Sequence, residues 1–237
     1  MASGALPADQ PNPSRALIDG AEISELELLR YQAKRARIAA LLLYGKIGPE
    51  NVRELLKDEI ATMAQIEHDW VQRSAGELVG SITELRVDGG NAAGFLRWFG
   101  ERVSADDQAM MFDAHPEHYA LVREPDGRTS ILETIGGWKL PGLVYARFTQ
   151  DERDAAEATD PTLPIRLIGF IESQSGEALG RVLHQFGDTS SGFRARLGIY
   201  WPAKANLDMV KGHQWHLAVE FVNWTRMYIE ALSKHQL

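Results

Sequence analysis

The chain has 237 residues, a formal net charge of -8 and no cysteine. This length suits one domain of generous size, or one domain with an appended element. The lack of cysteine excludes disulfides, thiolate zinc sites and a cysteine nucleophile, so any metal ion must be held by histidine and carboxylate side chains. The acidic charge argues against a nucleic-acid partner, because binding phosphates needs clustered Lys and Arg.

The first residues of the chain differ in composition from those that follow. Residues 1–16 are rich in Pro, Ser and Ala, which predicts a disordered N-terminus. This segment lacks the apolar core of a signal peptide, and no stretch of the chain reaches the roughly 18 consecutive apolar residues of a membrane span. We therefore expect a soluble, cytoplasmic protein with no membrane partner.

Residues 17–78 are predicted to form an N-terminal helical hairpin. Apolar residues recur at helical spacing over 22–44 and again over 49–73, and the run GKIGPEN between them is typical of a helix breaker. The apolar face of such a hairpin must be buried, either on the rest of the chain or against a second copy. We expect a homodimer that forms partly through these helices.

Residues 79–237 are predicted to form an α+β domain. One helix or two short ones are expected in NAAGFLRWFGERVSADDQAMMFDAH, and a long C-terminal helix over 206–232. A helix-grip fold, in which an antiparallel sheet wraps around this last helix, fits the order of elements and leaves a cavity between its two layers. The strand-like runs are SITELRV, HYALVRE, SILETIG, LVYARFT, PIRLIGFIES, ALGRVLHQF and FRARLGIYW.

The C-terminal helix carries a group of side chains that could bind a metal ion. In HQWHLAVEF, His213, His216 and Glu220 are three, four and seven residues apart. Residues at these spacings share one face of a helix, so the two imidazoles and the carboxylate can point toward a single divalent ion. The alternative is that they are ordinary surface residues, with Glu220 hydrogen-bonded to His216.

A second group lies in the first half of the predicted sheet. DAHPEHY contains His115 and His118, and SILETIGG contains Glu133. If HYALVRE and SILETIG form a hairpin around Asp126 and Gly127, His118 and Glu133 lie at the same end of it. The alternative is a solvated loop histidine and a charge on an edge strand.

Five short segments, in this order and spread over residues 80–232, resemble a known family of carbon–carbon bond hydrolases. The family includes 2,4-diacetylphloroglucinol hydrolase and phloretin hydrolase. Ala195 stands where the family has the serine of an Arg-Ser-Arg strand. The segments are FLRWF, HPEHY, ETIGG, SGFRARLGIYW and HLAVEF.

This resemblance implies a fold, a metal and an activity. The fold is a helix-grip sheet of the Bet v 1/START-like type. The metal is a zinc ion, or a similar divalent ion, held by His118, Glu133, His216 and Glu220. The activity is hydrolysis of the bond between an acyl carbonyl and a polyhydroxylated aromatic ring, so the substrate is a small aromatic ketone. His213 is then not a ligand of the metal ion, and it is expected beside the ligands or at the rim of the cavity.

Such a reaction also needs a proton for the leaving ring, and two histidines are the first candidates. His184 lies in VLHQF, a strand predicted to line the cavity, and a similar histidine-bearing strand precedes Arg-Ser-Arg in the family. The alternative is a core histidine satisfied by backbone groups. His213 is the second candidate. Other residues able to move a proton are His115, Asp113, Tyr145 and Tyr200.

Arg196 is a third candidate for the catalytic machinery. Arg194 and Arg196 alternate with apolar residues, so both point to one face of their strand. There they could orient an anion or pair with Glu133 or Glu220, although solvated arginines are the simpler alternative.

Two other functions stay open at this point. One is a binding protein without enzymatic activity, which holds a small aromatic or lipid-like molecule in the cavity of the same fold. The other keeps the metal ion but changes the reaction, as in a cyclase or decarboxylase that acts on polyketides.

Overall fold

The computed structural model describes residues 16–105 and 107–234. The chain divides into two compact units, Met1–Ala40 and Leu41–Leu237. The predicted disorder of residues 1–16 concerns a segment that, except for Ala16, lies outside the described residues. The domain bounds 1–16, 17–78 and 79–237 expected from the sequence stay predictions.

The first unit opens with a short hairpin that the sequence analysis missed. Strands β1 (Ala16–Ile18) and β2 (Ala21–Ile23) pair antiparallel. Asp19 and Gly20 connect them with φ angles of 51° and 80°, the positive values that a two-residue hairpin turn requires. Ser24 then starts helix α1 (Glu25–Ile47) by exchanging hydrogen bonds with Glu27, as in a capping box.

The side chains of helix α1 are exposed or half-buried. None of its residues is buried. Exposed apolar side chains on this scale are typical of interaction surfaces. The homodimer expected to form partly through this helix stays a prediction. The large ones are Leu26, Leu28, Leu29, Tyr31, Ile38, Leu42 and Leu43.

The second predicted helix, over 49–73, is divided in two. Helix α2 (Pro49–Leu55) ends at Leu56, whose φ of -103° interrupts the helical backbone, and α3 (Lys57–Ser74) follows directly. The division has no Gly or Pro at its centre, so the sequence gives no signal for it. Along α3 the buried residues recur at helical spacing and are Met63, Glu67, Trp70 and Ser74.

A curled seven-stranded antiparallel sheet, shaped as a half-barrel, forms the centre of the second unit. Its spatial order is β3-β9-β8-β7-β6-β5-β4, so β3 and β4 are its two edges. Each predicted strand is present. The strands are β3 (Leu78–Asp88), β4 (His118–Arg123), β5 (Thr129–Glu133), β6 (Gly142–Thr149), β7 (Ile165–Glu172), β8 (Ala178–Asp188) and β9 (Gly192–Pro202).

This unit contains three further helices besides α2 and α3. The stretch between β3 and β4 forms α4 (Ala92–Ser104) and α5 (Gln108–Ala114), and the C-terminal helix α6 runs over Leu207–Lys234. Buried residues of α6 such as Leu217 belong to the same apolar core as Phe186 of β8 and Phe193 of β9. The expected α+β architecture, an antiparallel sheet with a long C-terminal helix, is confirmed. Among the described helices, none has the length and apolar character to cross a membrane.

Helix α6 is fixed to the β3 edge of the sheet by hydrogen bonds. The hydroxyls of Ser81 and Thr83 donate to the carbonyls of Val210 and Gln214 over 2.6 and 2.8 Å. The Gln214 amide in turn donates to the carbonyl of Ile82 over 3.2 Å. These bonds set the position of α6 along the sheet, and so decide which of its residues reach the far edge.

Candidate metal centre and cavity

The far edge of the sheet presents the first two predicted ligands side by side. His118 opens β4, Glu133 closes β5, and the two residues are direct partners in the antiparallel register. The connecting turn contains Asp126 and Gly127, as expected, and Gly127 has a φ of 89°. Partners in such a register point to the same face, which brings both side chains toward the interior.

Helix α6 supplies the other two predicted ligands. His216 and Glu220 lie one turn apart, and both are buried. A close backbone contact brings this part of α6 to the end of β5. A Cβ atom on Gly212 would lie 2.0 Å from the carbonyl oxygen of Gly136, and Gly136 itself has a φ of 61°. Only glycine at these two positions permits the approach.

The four side chains direct their donor atoms at one point. Nε2 of His118 lies 3.2 Å from Nε2 of His216, 3.5 Å from Oε2 of Glu133 and 3.4 Å from Oε2 of Glu220. Nε2 of His216 lies 3.4 Å from Oε2 of Glu133 and 3.8 Å from Oε2 of Glu220. Both carboxylates thus lie within 3.8 Å of both imidazole nitrogens, and the group whose donor atoms all lie within 4.8 Å of one another is His118, Glu133 and His216.

These separations fit a small divalent ion. A zinc ion with bonds of about 2.0–2.1 Å in tetrahedral geometry holds neighbouring ligand atoms about 3.3–3.4 Å apart. Two imidazoles and two carboxylates are also a donor set that such ions prefer. The buried His/Glu cluster can hold a metal ion.

Charge balance also favours a divalent ion at this cluster. Within the described residues, every ion-pair partner of Glu133 and Glu220 is a histidine. Two buried carboxylates need compensating positive charge, because an unpaired charge in the interior costs several kcal/mol. A divalent cation would balance both, whereas one protonated imidazole balances only one.

Without a bound ion, a proton on His216 supplies part of this positive charge. Burial opposes the charge on His216, but the carboxylate of Glu133 and hydrogen bonds to Glu117 and Glu133 outweigh it and raise the pKa of His216 well above its usual value. Burial likewise opposes the charge on Glu133, yet the charge of His216 and their hydrogen bond bring the pKa of Glu133 below its usual value. The two residues form an ion pair.

The remaining ring nitrogens of the two histidine ligands are also engaged. Nδ1 of His118 donates to the carbonyl of Met111 over 2.8 Å. Nδ1 of His216 donates to the carboxylate of Glu117 over 3.2 Å. Hydrogen bonds of this kind fix the ring orientation and place Nε2 of each ring where it could bind a metal ion in place of a proton.

His213 stands beside the cluster rather than in it. Its Nε2 is 3.9 Å from Oε1 of Glu133, and its buried Nδ1 has no hydrogen-bond partner in the described structure. Burial, together with the charge of His216, lowers the pKa of His213 to about 3. At neutral pH it is therefore a neutral imidazole with one buried, unpaired ring nitrogen.

The cluster lies in the wall of a cavity of about 150 Å³ between the sheet and α6. A cavity of that volume in an apolar core is large enough for a benzene-sized ring. Its lining is mostly aliphatic and aromatic, and none of the described lining residues is Lys or Arg. Besides His213, Trp201 and Trp224 line it with indole nitrogens that are buried and unpaired.

His184 also lines this cavity, from β8. The backbone N–H of Gly198 donates to its Nδ1 over 3.2 Å, and burial lowers its pKa to about 4. The backbone-satisfied alternative applies to Nδ1, so the neutral ring carries its proton on Nε2, and the catalytic role of His184 stays a prediction.

Arg196 occupies a different place from the one expected. Alternation along β9 sends Ala195 and Leu197 into the core and Arg196 to the opposite face, where it bonds Glu157 over 2.7 Å. Its neighbour Arg194 bonds the hydroxyl of Thr162. The expected pairing with Glu133 or Glu220 is wrong, because the strand's parity points both arginines away from the cavity. Tyr145 and Tyr200 do not line the cavity either.

A scan against protein-family models and a search of curated proteins both give no match for this chain. The resemblance to the carbon–carbon bond hydrolases therefore stays an expectation. The geometry of the site carries the functional argument.

One buried acid near this region escaped the sequence analysis. Glu67 of α3 is 6% exposed, and its Oε1 has no hydrogen-bond partner in the described structure. A Cβ atom on Gly142 would lie 3.0 Å from that oxygen, so the missing side chain of Gly142 makes room for the acid. Burial raises the pKa of Glu67 to about 8. It is therefore a neutral carboxyl group at neutral pH.

We expect Glu67→Gln to stabilise the protein increasingly as the pH rises from 4.5 to 8. The unfolded chain loses the Glu67 proton near pH 4.5, whereas the folded chain keeps it until about pH 8. Over this interval wild-type stability falls, relative to the variant, by about 1.4 kcal/mol per pH unit, and it levels off above pH 8. Urea unfolding of both proteins at pH 5, 7 and 8.5 measures the difference.

The exposed Glu59 of the same helix provides the control, and Glu59→Gln should show no such trend. A stability difference between Glu67→Gln and wild type that stays constant with pH would contradict the assignment of Glu67 as a buried neutral acid.

Proposed function

We propose that this protein is a metal-dependent hydrolase that cleaves the carbon–carbon bond between an acyl carbonyl and a polyhydroxylated aromatic ring. The observation that carries the proposal is a pair of imidazole nitrogens 3.2 Å apart, with two carboxylates that each lie 3.4–3.8 Å from both nitrogens, in the wall of an apolar cavity. The order of elements and the half-barrel support a helix-grip fold of the Bet v 1 type.

His118, Glu133, His216 and Glu220 would hold the ion, and zinc is the metal we propose because its preferred ligands and spacing match this set. When bound, such an ion supplies Lewis-acid chemistry, either polarising a carbonyl oxygen or making water more acidic.

The reaction requires water to add an oxygen to the acyl carbon while the aryl–acyl bond breaks and the ring carbon takes a proton. His213 lines the cavity and its Nδ1 has no hydrogen-bond partner in the described structure, so we propose that it accepts the proton from water and returns it to the ring carbon. His184 offers Nε2–H as a hydrogen-bond donor to a substrate oxygen, because its Nδ1 is held by Gly198. The products are a carboxylic acid and the free phenol.

The cavity wall supports an uncharged substrate. Its described lining contains no Lys or Arg to pair with a carboxylate or phosphate, and side chains such as Phe95, Phe99 and Phe221 exclude water. Burying an unpaired anion there would cost more than an aromatic ketone of the same size. The substrate class is therefore a neutral monocyclic acylphenol.

The decisive experiment incubates the zinc-loaded protein with acylphloroglucinols and measures the carboxylic acid released. We expect turnover by the wild type and a loss of about 10²–10⁴-fold in kcat for His213→Gln, because proton transfer contributes about that much. His68→Gln is the matched control, since His68 pairs with Glu177 on the surface.

Three results would contradict the proposal. Consumption of the ketone without release of acid would point to a cyclase or decarboxylase. Tight binding of the ketone without any reaction would point to a binding protein. Full activity of His213→Gln would remove His213 from the reaction.

A further inference from the structure

A carboxylate outside the four predicted ligands contacts one of them. Glu117 lies in the turn between α5 and β4, directly before His118. Its Oε2 accepts a hydrogen bond from Nδ1 of His216 over 3.2 Å. On the other side of the same ring, Nε2 of His216 faces His118, Glu133 and Glu220.

The turn that carries Glu117 is fixed at both backbone groups. The Glu117 N–H donates to Nδ1 of His115 over 3.1 Å, and the Glu117 carbonyl accepts from the N–H of Thr134 over 3.3 Å. Thr134 directly follows the predicted ligand Glu133. The backbone of Glu117 is therefore held next to the end of β5 and the start of β4, and its carboxylate contacts His216 of α6.

We propose that Glu117 is a positioning residue that holds His216 in its Nδ1–H form and so strengthens divalent metal binding at Nε2. An acceptor on the far nitrogen of a histidine ligand fixes its tautomer and ring orientation and makes the metal-binding nitrogen more basic. The inference rests on the metal site of the proposed function.

His118 shows why the charge of Glu117 matters. The corresponding nitrogen of His118 donates to the neutral backbone carbonyl of Met111. A carboxylate is the stronger acceptor, because hydrogen bonds to charged groups are about twice as strong as neutral ones. Of the two imidazoles, His216 is therefore the one whose binding depends on a replaceable side chain.

A second ion beside the first is the competing explanation. His115, Glu117 and His216 offer donor atoms within 4.8 Å of one another. However, the rings of His115 and His216 are stacked, with centroids 3.9 Å apart and planes inclined by only 22°. The lone pairs of ring nitrogens lie in the ring plane, so stacked rings direct them side by side and not toward a common ion. Nδ1 of His115 also already accepts a hydrogen bond.

The test measures the zinc dissociation constant by chelator competition for wild type, Glu117→Ala and Glu117→Gln. Loss of a partner of this kind typically weakens metal binding about 10–100-fold, so we expect that loss in Glu117→Ala. In Glu117→Gln an amide oxygen can still accept the bond, so the loss should be smaller. Glu177→Gln is the matched control, because it alters another His–Glu contact, that of His68, away from the cavity.

A spectroscopic readout separates positioning from a merely structural role. In long-range ¹H–¹⁵N spectra of the zinc-loaded wild type, Nδ1 of His216 should carry a slowly exchanging proton. Glu117→Gln should keep this signal, and Glu117→Ala should lose it.

Each remaining outcome decides the question. If wild type binds zinc and Glu117→Ala binds it equally tightly, Glu117 has no positioning role, while the proposed function stands. If wild type binds two zinc ions and Glu117→Ala binds one, Glu117 is a ligand of a second ion. If wild type binds no zinc, the proposed metal site fails, and the role of Glu117 fails with it.

Discussion

His216→Ala is expected to lose more than about 10²-fold in zinc affinity, beyond the loss typical for a residue that only supports a ligand. His216 contributes the Nε2 atom closest to that of His118, and its ring also contacts Glu117 and Glu133. Removing the ring leaves the carboxylates of Glu133 and Glu220 without one of their two principal partners. Metal content after dialysis against a weak chelator, measured by atomic emission, gives the result.

His68→Ala is the control for His216→Ala. It removes a histidine whose side chain is 48% exposed and whose partner, Glu177, lies away from the cavity. Both variants are purified in the same way, and we expect them to differ sharply in metal content. Equal zinc retention by His216→Ala and wild type would contradict the proposed metal site.

Gly212→Ala is expected to destabilise the protein by about 2 kcal/mol, although alanine normally stabilises a helix interior by about 1 kcal/mol. A Cβ atom at this position would lie 2.0 Å from the carbonyl oxygen of Gly136. Helix α6 must then move away from the end of β5. The movement separates His216 from Glu133, so zinc affinity should fall together with stability.

Gly100→Ala in α4 is the matched control, because no atom beyond its chain neighbours and the adjacent backbone of α4 lies within 4 Å of a Cβ built there. That substitution should stabilise the protein by about 0.5–1 kcal/mol and leave zinc affinity unchanged. Urea unfolding and chelator competition measure both quantities. If Gly212→Ala behaves like Gly100→Ala, the close contact does not position the site.

The order of elements could be predicted from the sequence because each strand is a short apolar run between turn residues. What escaped prediction are features without such a signal. The break at Leu56 has no Gly or Pro, and the β1–β2 hairpin is only three residues long on each side. The Asp19-Gly20 pair did mark its turn, but a long neighbouring helix pattern dominated that region.

The four donor side chains could be found because two independent spacings place them, one along a helix and one across a hairpin. Glu117 could not, because adjacency to His118 in HPEHY does not reveal which ring its side chain reaches. Glu67 sits in an otherwise apolar helix face, where one acid gives no sign of burial. The outward direction of Arg196 was available from the alternation with Ala195 and Leu197.

Helix α6 joins the two edges of the half-barrel in different ways. Hydrogen bonds from Ser81 and Thr83 hold it to β3. On the other side, α6 contacts β4 and β5 through the side chains of the His/Glu cluster. Amide hydrogen exchange should therefore be slow along β3 whether or not zinc is present, while exchange along β4 and β5 should slow when zinc is added. The cavity would then open to solvent on the side of β4 and β5, with β3 acting as the fixed hinge of that opening.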